Sequence, residues 1–213
     1  MKSYPSILCS SKGPHLDCYV FVKYDGSNLR FEWSKKRGWY KFGTRNQLFD
    51  KTTPIFGEAI DLFFQKYGDD LENVFKRDKF FRGIDNFIVF CEWFGSKTFA
   101  GMHQKFDNKE IVLFDVNPVK KGILGPKQFV DTFGHLHIAE LLDQRKYGNQ
   151  LIKDVREGIF DCSSKFNIRN EIPEGVICKG GSGHNLWMAK IKTQQYYDKL
   201  KEVYKDDWAK HWE

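Results

Sequence analysis

A lysine close to an acidic residue and a glycine is the feature of this sequence best suited to chemistry. The three residues are Lys23, Asp25 and Gly26, in the run KYDGSN at positions 23 to 28. A lysine amine can act as a nucleophile and form a covalent intermediate, and a glycine has no Cβ to keep a phosphate group away from the backbone. Taken alone, the run also fits a hairpin turn with a solvated lysine, so further residues must decide between the two hypotheses.

Two more lysines and two carboxylates occur in strand-like runs later in the chain. Lys190 and Lys192 are two residues apart in MAKIK, so in a strand both side chains point to one face, which could meet phosphates or be an ordinary solvated face. Glu92 lies among aromatic residues in CEWFG, where an unpaired carboxylate is costly, so we expect a partner such as ribose hydroxyls or an arginine. Glu174 precedes the apolar run VIC and could otherwise be a turn residue after Pro173.

The elements that must position these residues are strands and helices in an irregular order. β-Branched and aromatic runs predict strands at 18–33 (two strands around a Gly-Ser-Asn turn, as in a hairpin), 38–49, 86–95, 111–119, 172–181 and 186–193. Apolar residues three or four apart predict helices at 56–81, 128–148 and 193–213, and 96–110 is predicted to be a polar loop. The order indicates an α+β fold with mixed or antiparallel sheets flanked by helices, not a Rossmann fold. We expect a single domain over 1–213.

Composition limits the class of protein. A formal charge of +6 and a pI near 8.9 favour polyanionic partners such as ATP or nucleic acid. The five cysteines show no CxxC spacing, so we expect reduced thiols in a cytoplasmic protein, and the absence of a long apolar run or leader predicts no membrane association. His135 and His137 are two residues apart in a predicted helix and would not share a face, so we expect no transition-metal site.

An ordered series of motifs resembles the covalent nucleotidyltransferase superfamily of ATP-dependent ligases and capping enzymes. The series is KYDGSN at 23 to 28, KFGTR at 41 to 45, CEWFG at 91 to 95, LFDV at 113 to 116, EGVICK at 174 to 179 and MAKIK at 188 to 192. The resemblance spans nearly the whole chain and implies the ATP-grasp-like nucleotidyltransferase fold of ligases. It also implies that Lys23 attacks the α-phosphate of ATP, releases pyrophosphate and carries AMP as a phosphoramidate.

The resemblance assigns roles to further residues. Lys23 must be neutral to attack, and we expect Lys190, Lys192 and a divalent metal to lower its pKa while Asp25 opposes that shift. Glu174 would organise Mg²⁺ or Mn²⁺ through metal-bound waters. The remaining implied ligands of ATP are Lys190 and Lys192 for phosphates, Glu92 for the ribose, Asn28, Arg45 for a phosphate, and Phe114 for stacking on adenine, with core packing as the alternative for Phe114. The run YPSI at 4 to 7 is similar to the family's lead-in strand, whose backbone would read the adenine edge.

Three features indicate a branch of the superfamily. Asn28 stands where DNA ligases and capping enzymes usually have arginine, and with GTR at 43 to 45 and FDV at 114 to 116 it resembles the phage-type, RNA ligase 2-like branch. Only 21 residues follow Lys192, too few for an OB-fold, so we expect a minimal, monomeric form that lacks this C-terminal domain. An accessory protein, or the basic residues Lys35, Lys36, Arg37 and Lys41, would then engage RNA ends or a nicked duplex. The alternatives are a minimal ATP-dependent DNA ligase, a guanylyltransferase, and a noncatalytic nucleotide- or RNA-binding module.

Overall fold

The computed structural model describes residues 3–96, 108–165 and 172–210, which form two β-sheets with helices packed against them. The described strands are β1 Asp17–Lys23, β2 Ser27–Ser34, β3 Gly38–Thr44, β4 Leu48–Phe49, β5 Asn86–Phe94, β6 Glu110–Pro118, β7 Leu141–Lys146, β8 Gly175–Gly180 and β9 Trp187–Lys192. The described α-helices are α1 Gly57–Phe63, α2 Asp69–Arg77, α3 Pro126–Phe133, α4 Asn149–Arg156 and α5 Gln194–Tyr204. The predicted α+β class with sheets flanked by helices is therefore confirmed.

The two sheets are antiparallel and are joined at the lysine motif. Their strand orders are β7-β1-β8-β9 and β4-β3-β2-β5-β6. The sequence correctly predicts two strands around residues 24–26, but the prediction of a hairpin is wrong, because β1 and β2 belong to different sheets and do not pair. Alternation along a strand shows which side chains share a face, and it does not show which strand is the neighbour. Lys23, the last residue of β1, therefore lies at the junction of the two sheets.

Strand β5 of the five-stranded sheet holds the two sheets together, because it packs on both of its faces. Its run NFIVFCEWF is apolar on both faces, as in a strand that is covered on both sides. On one face, Phe87 stacks on Phe75 of α2 with ring centroids 4.0 Å apart, within a core that also contains α1 and α3. On the other face, Phe90 packs with Tyr4 and with Met188 of β9, a strand of the four-stranded sheet. Burial of each such phenylalanine stabilises the fold by about 1.5–3 kcal/mol.

The four-stranded sheet has its own smaller core. Val20 of β1 packs with Leu151 and Val155 of α4, in a cluster that includes the buried thiols of Cys18 and Cys178. All five cysteines are free, although four of them are buried. Helix α4 lies in a stretch for which the sequence predicted no element.

The helix predicted at 128–148 is wrong in its second half. Helix α3 ends at Phe133, and residues Leu141–Lys146 form β7, an edge strand that pairs with β1. A short run with several apolar residues fits both periods, and here pairing with β1 decides in favour of the strand. His135 and His137 consequently follow α3 in a turn, where His135 is exposed and His137 is half-buried.

Other predicted elements differ in extent. The helix predicted at 56–81 is α1 and α2, joined by a π-helical turn at Phe64–Gly68. The C-terminal helix is α5 followed by a 3₁₀ segment at Lys205–Lys210, while 211–213 lie outside the described residues. The polar loop predicted at 96–110 lies mostly at 97–107, also outside them. The YPSI run forms no strand, and the residue that follows it, Leu8, bridges to Ala189.

Among the described helices, none has the length and apolar character needed to cross a bilayer.

Candidate active site

A cavity of about 460 Å³ opens where the two sheets meet. Its wall comes from the end of β1, the 24–26 loop, the start of β2, the end of β3, and β5, β6 and β8. Five of the residues that the sequence singled out contribute to this wall: Lys23, Asn28, Arg45, Glu92 and Phe114. The fold therefore gathers residues that are up to 91 positions apart in the chain, from Lys23 to Phe114.

Glu174 holds the Lys23 amine at one end of the cavity. Lys23 Nζ lies 2.6 Å from Glu174 Oε2, and Lys192 Nζ lies 3.3 Å from Glu174 Oε1, so one carboxylate serves two lysines. The strand register produces this arrangement, because Gly175 is opposite Lys23 on one side and opposite Lys192 on the other. Gly175 has φ of 144°, and a Cβ there would lie 2.0 Å from the carbonyl oxygen of Ile191, so only glycine fits beside the carboxylate.

The surroundings shift the pKa values of Lys23 and Lys192 in opposite directions. Burial lowers the pKa of Lys23, but Glu174, Glu92 and Asp25 together outweigh it, and the pKa of Lys23 is raised above its ordinary value. The prediction that nearby cations lower it is therefore wrong for this structure. Burial lowers the pKa of Lys192, and the charge of Lys23 adds to that effect while Glu174 opposes it. The two lysines differ because three carboxylates act on Lys23, with Glu174 in contact at 2.6 Å, whereas burial outweighs Glu174 at Lys192.

Lys190 occupies the position that the sequence predicted on β9, but it does not line the cavity. It lies two residues before Lys192 on the same strand and is half-buried, and its charge contributes to lowering the pKa of Lys192. Glu174 and Lys192 also lie outside the cavity wall and connect to it through Lys23. Of the three predicted lysines, only Lys23 therefore faces the cavity directly.

Glu92 and Asn28 lie side by side in the cavity wall. They are opposite each other in the pairing of β2 with β5. Burial raises the pKa of Glu92 to about 8, with smaller contributions from Glu174 and Asp25, while Lys23 and Arg45 act in the other direction. Within the described part of the chain Glu92 forms no salt bridge, so the arginine partner considered from the sequence is absent there. A carboxyl group with this pKa can donate as well as accept a hydrogen bond near neutral pH.

A second charged cluster at the cavity, which was not predicted from the sequence, is formed by Tyr4, Asp115 and Lys179. Lys179 Nζ donates to Asp115 Oδ2 and to the carbonyl oxygen of Phe114, both at 2.8 Å, and the Tyr4 hydroxyl donates to the same carboxylate oxygen. All three side chains are buried. The Tyr4 ring also packs edge-on against Phe114, with centroids 5.0 Å apart. The alternation of side chains along a strand was the signal in the sequence that could have placed Lys179 at the cavity. Lys179 is two residues from Ile177 on β8 and shares its face, and Ile177 lines the cavity.

The described residues contain no group of three His, Cys, Asp or Glu side chains placed to hold a metal ion. Glu174 has both carboxylate oxygens engaged by lysines. These residues could hold a divalent cation only with water completing its coordination shell, which is the usual mode of Mg²⁺ in proteins.

Comparisons with known proteins identify a family for this chain and solved structures with a similar fold. A family model described as RNA ligase matches residues 17–192. No curated protein sequence matches this chain. The Naegleria gruberi RNA ligase with PPi has a similar structure, with a TM-score of 0.68 and 15% identity over 95% of this chain and 58% of that chain.

Mutants of the same Naegleria gruberi enzyme are also similar. One with ATP and Mn gives a TM-score of 0.66, with 15% identity over 92% of this chain and 58% of that chain. One with AMP and Mn gives 0.64, with 15% identity over 93% and 58%. The chain thus spans less than two thirds of these structures, and at such low identity the likeness concerns the fold.

Proposed function

The chain belongs to the RNA ligase family, and we propose that it is an ATP-dependent RNA ligase in which Lys23 forms a covalent bond to AMP. One observation carries the proposal. The Lys23 amine lies at a cavity between two sheets, 20% exposed, in contact with the buried carboxylate of Glu174, which a second lysine also contacts. A lysine held in this way can be presented to a bound nucleotide and still be reached by it.

ATP would bind with its base against Phe114 and its ribose against Asn28 and Glu92. The ring of Phe114 is half-buried, and its backbone carbonyl and ring are held by Lys179 and Tyr4. A fixed aromatic ring loses little freedom when a base stacks on it. Glu92, with a pKa of about 8, offers both a donor and an acceptor to ribose hydroxyls.

The triphosphate would extend toward Lys23, with Arg45, Lys190 and Lys192 balancing its charge. Arg45 lies in the cavity wall, and Lys192 lies on the far side of Glu174 from Lys23. Cations placed where negative charge develops stabilise the transition state of phosphoryl transfer. A divalent metal, Mg²⁺ or Mn²⁺, would add charge neutralisation on the phosphates, with Glu174 organising its bound waters.

Transfer of AMP requires the neutral amine of Lys23. The ion pair with Glu174 holds the proton in the resting protein, because the pKa of Lys23 is raised. Glu174 Oε2, at 2.6 Å, is the nearest acceptor for that proton. The nitrogen of Lys23 would then attack the α-phosphorus, forming the N–P bond as the bond to the pyrophosphate oxygen breaks.

The AMP would pass to a 5′-phosphate of RNA, and attack by a 3′-OH would join the ends and release AMP. We propose RNA over DNA because Asn28, in the cavity wall, stands where DNA ligases usually have arginine. The phage-type branch is proposed on the same residue.

The test is incubation of the purified protein with α-labelled ATP and Mg²⁺, followed by a denaturing gel. We expect a labelled protein band, and we expect Lys23→Ala to abolish it, a loss of at least about 10³-fold, because the attacking atom is removed. Lys146→Ala, which changes an exposed lysine at the end of β7, is the matched control and should label normally. Labelling of the Lys23→Ala protein would show that another residue is the nucleophile.

A chase separates the substrates. The labelled protein is mixed with a nicked duplex whose 3′-OH strand is either RNA or DNA. Label released with joined RNA supports the proposal, and joining of DNA alone indicates a minimal DNA ligase. A band that never chases indicates an adenylyltransferase with another acceptor, and no band at all indicates a binding module.

A further inference from the structure

We propose that Tyr196 of α5 is a positioning residue for the adenylylation of Lys23. It fixes Lys192 relative to the loop at residues 24–26, which we call the nucleophile loop. The inference rests on the proposed function, because that reaction is the one Tyr196 would assist. Tyr196 is 1% exposed and does not line the cavity, so it would act only through the residues it contacts.

The loop at 24–26 connects a strand of one sheet to a strand of the other and is packed tightly on one side. It follows Lys23 at the end of β1 and leads into β2 of the other sheet. A Cβ on Gly26 would lie 2.6 Å from the carbonyl oxygen of Trp93, so the loop backbone rests directly on β5. Lys23 immediately precedes this loop in the chain, so a movement of the loop backbone also moves Lys23.

Tyr196 contacts this loop through its hydroxyl. The hydroxyl donates a hydrogen bond to Asp25 Oδ1 at 3.0 Å, and Asp25 is only 3% exposed. A hydrogen bond between two buried side chains is electrostatically stronger than the same bond in water. Helix α5 therefore holds the loop at the residue two positions after Lys23.

The ring of the same tyrosine contacts Lys192. Lys192 Nζ lies 5.2 Å from the centroid of the Tyr196 ring, within the range of a cation–π interaction, and 3.3 Å from Glu174 Oε1. One side chain thus joins the end of β9 to the nucleophile loop, and both of these carry charged groups that surround the Lys23 amine.

Tyr196 is itself fixed by the segment that carries Glu174. Thr193, the N-cap of α5, accepts a hydrogen bond from the Tyr196 backbone N–H at 3.1 Å and donates one to the carbonyl oxygen of Pro173 at 2.8 Å. Pro173 immediately precedes Glu174. The loop at 24–26, Lys192, the segment with Glu174 and helix α5 are therefore all connected through Tyr196 and Thr193.

The consequence concerns the rate of reaction rather than the binding of ATP. Attack by an amine on phosphorus needs the two atoms in a narrow range of distance and angle, and a small displacement of a catalytic group lowers the rate steeply. Loss of the Tyr196 hydroxyl removes the hydrogen bond from α5 to Asp25 in the loop, while the residues proposed to contact the base and ribose stay in place.

The experiment compares Tyr196→Phe with Tyr147→Phe. Tyr147 is also 1% exposed and donates one hydrogen bond, to the carbonyl oxygen of Ser10 at 2.6 Å, but it lies away from the cavity. Both variants lose one buried hydroxyl, so they should lose similar thermal stability. In single-turnover labelling with ATP and Mg²⁺, we expect Tyr196→Phe to be about tenfold slower, with half-saturation by ATP changed less than about twofold. Tyr147→Phe should label at the normal rate.

Thr193→Ala provides a second variant that leaves Tyr196 intact and loosens the start of α5. We expect its labelling to be about threefold slower, since the capping contact only indirectly holds the tyrosine. Normal labelling rates of both Tyr196→Phe and Thr193→Ala would overturn the inference alone, and so would an equal rate loss in Tyr147→Phe. No labelling of the unaltered protein would overturn the proposed function and this inference with it.

Discussion

Two lysine–carboxylate pairs lie at the same cavity and differ in how freely the lysine can move. In the closed pair, Lys179 and Asp115 are 4% and 1% exposed, and both make further hydrogen bonds, to the carbonyl oxygen of Phe114 and from Tyr4. In the open pair, Lys23 is 20% exposed, and Glu174 divides its oxygens between Lys23 and Lys192. The same two chemical groups thus form a fixed support in one place and an accessible amine in the other.

The difference shows what burial does to an ion pair. Two charges removed from water must satisfy each other completely, and the closed pair does so with additional partners for each member. The open pair keeps its lysine partly hydrated, so the amine can leave the carboxylate at a smaller cost. We infer that the closed pair positions Phe114 and that the open pair performs the chemistry.

The largest expected effect on stability comes from breaking the closed pair. Asp115→Ala leaves the Lys179 ammonium buried without its counter-charge, and removing one partner of a buried pair costs about 3–5 kcal/mol. We expect the free energy of unfolding, measured by chemical denaturation, to fall by this amount. Replacing both residues together, Asp115→Leu with Lys179→Met, should recover most of the loss. A double variant as unstable as the single one would show that charge is not the reason.

Breaking the open pair should affect the reaction more than the fold. In Glu174→Gln the partly exposed Lys23 can be hydrated, and the buried Lys192, whose pKa is already lowered, can lose its proton instead of remaining charged. We therefore expect the free energy of unfolding to fall by only about 1–2 kcal/mol. We expect single-turnover labelling to slow by about 10²-fold, because the group that orders both lysines is lost. Glu32→Gln, which changes a half-buried carboxylate near Arg30 and Lys41, is the control and should label normally. A normal rate for Glu174→Gln would separate Glu174 from the reaction.

A third expected effect appears only when pH is varied, as a change in how stability depends on pH. Burial raises the pKa of Glu92 from 4.5 to about 8, so between these values the folded protein binds a proton that the unfolded chain has lost. Stability from this group is complete below about pH 4.5 and decreases as pH rises toward 8. Glu92→Gln should flatten this part of the profile of melting temperature against pH. Identical profiles for the two proteins would contradict the raised pKa.

The motifs predicted which residues to consider, and the strand register decided how they meet. Lys23, Glu174 and Lys192 all belong to motifs identified in the sequence. The two lysines share the carboxylate of Glu174 because Gly175 is opposite both of them in the sheet. No local pattern contains that register. The direction of the Lys23 pKa was wrong for the same reason, since the sequence shows nearby cations on a strand and not a carboxylate at 2.6 Å.

Other features could not be predicted because they depend on long-range pairing. The run after Phe133 looks helical by its apolar spacing, yet it pairs with β1 as a strand. Asp115 and Lys179 read as ordinary charged positions in two separate strands, and only the approach of the two sheets makes them a buried pair with Tyr4. The other strands were predictable, because their β-branched and aromatic runs are long and bounded by turn residues.

Whether Lys23 is the residue that carries AMP is tested most directly by mass spectrometry of the protein after incubation with ATP and Mg²⁺ in the absence of nucleic acid. Proteolysis and fragmentation then locate the lysine that carries AMP. We predict that the modification lies on Lys23, the accessible amine of the open pair, and that Lys179 and Lys192 remain unmodified. AMP found on Lys179 or Lys192 would contradict it, because the buried amines would then be the reactive ones.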